Sequence, residues 1–167
     1  INSWQPAIII GELNDMKAKG DTIFMAGNFS QTSTPNYLGS LVAVNSVTGN
    51  YYSNTPILGA IGYYILIDND SLYIGGHFGN NNIVRVRVST LVEEGGWKPN
   101  PGYDVKSIHK RNGKIYTIGD TYRILIYNGY ISEINSLAGT ILRTNTLGPN
   151  GGFSWASSAT LIGPKLF

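Results

Sequence analysis

Hydrophobic positions along this chain fall in short runs, each opened by residues that accept turn geometry and most closed by glycine. Three such runs overlay without gaps: Asp21-Thr22-Ile23-Phe24-Met25-Ala26-Gly27-Asn28-Phe29, Asp70-Ser71-Leu72-Tyr73-Ile74-Gly75-Gly76-His77-Phe78, and Gly113-Lys114-Ile115-Tyr116-Thr117-Ile118-Gly119-Asp120-Thr121. Mixed aliphatic and aromatic runs of this length, flanked by turn residues, predict β-strands. A second strand precedes each run across a tight turn. The turns are Lys17-Ala18-Lys19-Gly20-Asp21, Asp68-Asn69-Asp70-Ser71 and Lys110-Arg111-Asn112-Gly113, and Asn-Gly in the last is the strongest short hairpin signal. A third strand follows each run: Leu41 to Asn45 before Thr48-Gly49-Asn50, Ile83 to Val88 before Glu94-Gly95-Gly96, and Ile124 to Tyr127 before Asn128-Gly129. A fourth, more exposed strand is expected after each of these.

The aromatic positions Phe24, Tyr73 and Tyr116 recur at intervals of 49 and 43 residues. Trp4-Gln5-Pro6, Asn54-Thr55-Pro56 and Trp97-Lys98-Pro99 repeat in almost the same register, with prolines 50 and 43 residues apart. Proline ends a strand where the chain crosses between sheets, and Trp fills the space between them. A period of 40 to 50 residues made of short strands is the spacing of propeller blades. The reading is therefore all-β: a β-propeller segment of about three four-stranded blades plus a partial blade or tail. The expected repeats cover residues 4–55, 56–96 and 97–137. Residues 138–167 form a partial fourth blade or C-terminal tail, where Gly151-Gly152-Phe153-Ser154-Trp155 keeps fragments of the pattern. The start at Ile1, without Met and in mid-motif, is expected of a segment of a longer protein.

The W-x-P joint, the strand ending in Ala26-Gly27-Asn28-Phe29 or Gly75-Gly76-His77-Phe78, and the strand and turn from Leu41 to Gly49 together resemble the delta-60 type of propeller repeat. Leu72-Tyr73-Ile74-Gly75-Gly76 and Lys114-Ile115-Tyr116-Thr117-Ile118-Gly119 are similar to the kelch strand that ends in a double glycine. Either resemblance implies a propeller. The delta-60 one, over residues 4–137, points to large secreted, surface or phage-tail proteins with binding or structural roles, and it implies no catalytic residue. In the third copy Gly119-Asp120-Thr121 replaces the glycine-aromatic ending.

Composition narrows the function classes. Charged residues are 13% of the chain, about half the usual share, while glycines number 21 and tyrosines 11. A net charge of +2 is too small a surplus to call for nucleic acid, and no run of 18 apolar residues exists to insert in a membrane. Without cysteine there are neither disulfides nor thiolate metal sites. His77 and His109 sit at non-equivalent positions with no spacing for zinc, and no Asp-x-Asp-x-Asp-Gly calcium loop is present. No metal, cofactor or catalytic group is expected, and the chain reads as a non-enzymatic interaction or structural module. Its expected partners are further propeller blades, from the same or another chain, and a protein or glycan surface, in an extracellular, cell-surface or virion setting. The alternative is a propeller enzyme or glycan-binding domain with its site in the central channel.

Seven residues are candidates for ligand or partner contact. Asn28, His77 and Asp120 hold the same position in the three repeats, so in a propeller they would gather at one end of the channel. Arg85 and Arg87 alternate on one strand and share a face, which gives either a solvated basic face or a contact for an anionic partner. Tyr51 and Tyr63 each belong to an adjacent tyrosine pair; one ring of each pair faces away from the core side, to pack between blades or to stack on a ligand.

Overall fold

Each of the three overlaid runs becomes the second strand of an antiparallel sheet. The computed structural model describes residues 9–31, 37–79, 81–123, 126–146, 161–162 and 165–166. The first sheet contains β1 (Ile9–Lys19), β2 (Thr22–Gln31) and β3 (Tyr37–Asn45) in that order. The second contains β4 (Ile61–Asp68), β5 (Ser71–His77), β6 (Ile83–Arg87) and the two-residue β7 (Val92–Glu93). The third contains β8 (Asp104–Arg111), β9 (Lys114–Arg123), β10 (Ile126–Asn135) and β11 (Ile141–Thr146). β12 (Leu161–Ile162) and β13 (Lys165–Leu166) pair as a separate two-stranded hairpin. Trp4-Gln5-Pro6, Thr32 to Asn36, Asn80 and Gly151 to Trp155 lie outside the described residues.

The predicted hairpins are present. Gly20, Asn69, Asn112 and Gly113 carry φ of 55°, 49°, 49° and 71°, the left-handed geometry that Gly and Asn tolerate in two-residue turns. Two expected turns after the third strands move. Asn128 and Gly129 are not a turn: they lie within β10, opposite Thr121 and Asp120. The chain reverses instead after Asn135, whose Oδ1 accepts the backbone N–H groups of Leu137 and Ala138 at 3.0 Å. Asn45 does the same for Val47 and Thr48 at 2.9 Å, so Asn45-Ser46-Val47-Thr48-Gly49 and Asn135-Ser136-Leu137-Ala138-Gly139 are one motif. In the second sheet the reversal occupies Val88 to Leu91, ahead of β7, and Glu94-Gly95-Gly96 lies beyond β7. Leu91 stands there at φ 57° where the other copies have glycine, and burial of its side chain between sheets offsets the strain. The third sheet continues past residue 137, because β11 pairs with β10. The first sheet's fourth strand reduces to one bridge between Val44 and Tyr51.

Strand alternation gives every sheet two faces, and the sheets stack in chain order. The face of the first sheet with Phe24, Ala26, Leu41 and Ala43 meets the face of the second with Ile65, Leu72, Ile74, Val84 and Val86 in one buried cluster. The opposite face of the second sheet, with Tyr73 and Ile83, meets Ile108, Ile115 and Ile134 of the third in another. First strands lie beside first strands, β1 by β4 and β4 by β8, as inner strands of a propeller do. Trp97 fills the second joint: its ring meets Tyr73 edge-on at 5.3 Å, and its Nε1–H donates to the Ser136 carbonyl at 3.0 Å.

Candidate functional site

The repeated glycine positions the site. Each first strand carries a β-bulge at the same place, inserting Asn14, Tyr63 or Lys106 as the extra residue. Opposite each bulge stands the glycine that ends the second strand's run. A Cβ on Gly27, Gly76 or Gly119 would lie 1.9, 2.2 or 1.7 Å from the carbonyl oxygen of Glu12, Ile61 or Asp104, so only glycine fits. Asn28, His77 and Asp120 follow these glycines and are paired across the strands with Glu12, Ile61 and Asp104. The bulge residues and the post-glycine residues thus form two layers at the same end of the inner strands.

Neighbouring sheets join through these layers. Asn14 donates from Nδ2 to the Gly62 carbonyl at 2.8 Å, linking the first sheet to the second. Between second and third, the Lys106 ammonium sits 3.3 Å from the centroid of the Tyr63 ring, a close cation–π contact. His77 Nδ1 is 2.7 Å from Asp104 Oδ1. Burial pushes the Asp120 carboxyl above the usual carboxylate range; the positive charge of Lys106 opposes this and the neighbouring Asp104 adds to it. Tyr63, His77, Asp104, Lys106 and Asp120 therefore make one mixed-charge cluster at the mouth of the joint between the second and third sheets. Among the described residues, no three His, Asp or Glu side chains are grouped so that they could hold a metal ion.

The sequence candidates separate. His77, Asp120 and Tyr63 belong to the cluster, and Asn28 occupies the equivalent place in the first sheet. Arg85 does not lie on a solvated face: it is half-buried against Trp97, at 5.2 Å from the ring, donates to the Ser136 carbonyl at 2.7 Å and pairs with Glu94. Its face is the one that packs on the next sheet, so its charge is taken up inside the joint. Arg87 is exposed and reaches the same Glu94 at 3.2 Å. Tyr51 packs with Phe29, Val42 and Val44 on the first sheet's other face, away from the cluster. Asp104 and Lys106 are not among the seven sequence candidates. The signal was available: each bulge residue precedes its glycine by 13 positions, at Asn14 and Gly27, Tyr63 and Gly76, Lys106 and Gly119.

No protein-family model and no curated protein matches the chain. Among solved structures it is similar to the computationally designed Ika4 protein, with a TM-score of 0.59 and 10% identity, over 93% of this chain and 83% of that one. The fold is β-propeller-like. It is also similar to the computationally designed Ika8 protein at 11% identity and a TM-score of 0.48, over 93% of this chain and 54% of that one, so the chain spans about half of Ika8. The propeller-like stacking explains why His77 of the second sheet and Asp120 of the third fall in one cluster.

Proposed function

We propose that this chain is a non-enzymatic structural and interaction module, built on delta-60-type, kelch-like repeats and serving a larger cell-surface, secreted or phage-tail-like virion protein. Its partners are further propeller sheets, from the same or another chain, and through them a protein or glycan surface. One observation carries the reading. Met16 on β1 holds the position of Ile65 on β4 and Ile108 on β8; those two are 0% exposed in the closed joints, while Met16 is 52% exposed. Leu13 beside it is 51% exposed. Val42 and Val44 on the same face are buried, so the apolar surface left to a partner is the first-strand side, where Met16 and Leu13 stand. The chain's two methionines, Met16 and Met25, are both on that face, directly paired, so peroxide reports on it selectively. In dilute isolated chain, Met16 should oxidise at the rate of a free methionine. Protection at every dilution would overturn the reading.

The mouth cluster favours a second reading, a channel-side glycan site, because Tyr63 offers a ring and His77, Asp104 and Asp120 offer hydrogen bonds. Asp120 is the discriminating residue. Its raised carboxyl favours the folded state at acid pH and loses that advantage as pH rises through the folded value, so Asp120→Asn should stabilise the neutral-pH protein. A role in glycan binding predicts that the same change weakens binding of soluble oligosaccharides by calorimetry; unchanged binding would remove this reading.

A further inference from the structure

We propose that the outer edge of β11 is a docking site for an extended strand of another polypeptide, which joins the third sheet antiparallel and sets a Ser or Thr opposite Thr144. The inference goes beyond the reading above, whose surface is on the first sheet, and does not rest on it. The three sheets end differently on their outer sides. The Tyr52 N–H donates to the Ala43 carbonyl at 2.8 Å and the Ser40 N–H to the Leu58 carbonyl at 3.3 Å, which covers the edge of β3. The second sheet ends on the two residues of β7. β11 is six residues long, outermost in its sheet and exposed throughout. Short strands, Lys, Pro and bulges are the usual guards of an edge. β11 has no Lys and no Pro, its bulge is confined to Leu142, and the Arg143 guanidinium folds back on Glu133 at 2.8 and 2.6 Å. From Arg143 to Thr146 the edge is unguarded.

Alternation fixes which groups this edge offers. The Asn135 N–H donates to the Thr140 carbonyl at 2.9 Å, so the odd-numbered residues of β10 turn their backbone groups toward β11, where Ile131 and Glu133 are paired with Asn145 and Arg143. The N–H and C=O of Thr144 and Thr146 therefore point outward. Backbone donors and acceptors at this spacing are matched by the backbone of another strand, which selects polypeptide over glycan. Side chains say which strand. Thr117 and Ser132, both fully buried, are cross-strand partners; the Tyr103 hydroxyl lies 2.8 Å from Thr117 Oγ1, and Ser132 Oγ lies 2.7 Å from Thr144 Oγ1. One row of hydroxyls thus crosses β9, β10 and β11 on one face and stops at an exposed residue. A hydroxyl can donate once and accept twice, so Thr144 retains capacity for a Ser or Thr on the next strand, a favourable cross-strand pair. A second β11 would bring its own bulge opposite Thr146 and keep only Arg143 to Asn145 in register, so a strand without a bulge fits this edge better.

The test is fluorescence anisotropy of the full chain with a labelled synthetic peptide of alternating Thr and Val, with Lys at both ends, and with its version carrying Ala for Thr. The Thr peptide should bind saturably. Thr146→Pro removes an outward N–H, a change tolerated where the N–H of an edge strand faces solvent, and should weaken binding about tenfold or more. Thr144→Val keeps the backbone and removes the hydroxyl; it should weaken the Thr peptide about threefold to tenfold and leave the Ala peptide unchanged. Circular dichroism and thermal unfolding check that both variants fold. No saturable binding of the Thr peptide, or binding that a folded Thr146→Pro leaves intact, overturns the inference. Should Thr146→Pro fail to fold, an equal loss of both peptides on Thr144→Val overturns it as well. A dimer by light scattering that Thr146→Pro dissolves would put a second copy on the edge and overturn the choice of partner.

Discussion

Between the first and second sheets the joint is filled with hydrocarbon: Phe24, Ala26, Leu41 and Ala43 against Ile65, Leu72, Ile74, Val84 and Val86. Between the second and third, the equivalent positions hold Tyr73, Gly75, Ile83 and Arg85, and the filling is aromatic and hydrogen-bonded. The substitution of Arg85 for Ala43 is the source of the difference. A long cation in a joint needs partners, and it finds them in Glu94, the Trp97 ring and the Ser136 carbonyl, which Trp97 also reaches. Gly75 allows the sheets to come close, since a Cβ there would lie 2.5 Å from Val105 Cγ1. One backbone arrangement thus accepts two fillings, although in the second the Arg85 Nε is buried without a hydrogen-bond partner.

The comparison is broken most forcefully by emptying each joint. Phe24→Ala and Trp97→Ala should each cost about 3–5 kcal/mol by denaturant unfolding. A markedly smaller cost at Trp97 would mean that the second joint is loosely filled and that the two are not equivalent. Gly76→Ala and Gly119→Ala act on the bulges and not on the fillings, so both should cost about 1–3 kcal/mol or more, whichever joint is nearer. Unequal losses would tie the glycines to the joints. Polar content is isolated by Trp97→Phe and Arg85→Met, each expected to lose about 1 kcal/mol. A neutral result for both would show that volume alone holds the second joint.

The smallest effect expected lies on the third sheet's outer face. A hydrogen bond from Lys114 holds the Glu133 carboxyl below the usual carboxylate range, and Arg143 adds to it. With the folded value depressed, the stabilisation is present above the ordinary carboxylate range and is lost as pH falls through the folded value. Glu133→Gln should therefore cost up to about 1 kcal/mol at neutral pH, since both cations are partly solvated, and nothing in strong acid. Thermal unfolding of the variant and the parent at neutral and strongly acid pH checks both the size and the sign.

Much of this protein is written locally. Alternation, the turn residues Gly20, Asn69 and Asn112-Gly113, and the periodic Phe24, Tyr73 and Tyr116 determined the strands, their hairpins and the threefold repeat, because each depends on neighbours a few residues away. The glycines Gly27, Gly76 and Gly119 were visible as a pattern, although their cause was not. That cause is the close approach of a carbonyl 15 positions earlier, which only the paired strands reveal. Asn128-Gly129 carries the same turn signal as Asn112-Gly113, yet the ladder between β9 and β10 runs through it, so pairing overrode local preference. The mouth cluster and the joints belong wholly to tertiary structure. His77 meets Asp104 across 27 residues and Arg85 meets Ser136 across 51, separations that only the packing of one sheet on the next can close. The same packing decided that Arg85 is interior and Met16 exposed, because the face a strand residue takes is fixed by alternation but what covers that face is fixed by the neighbouring sheet.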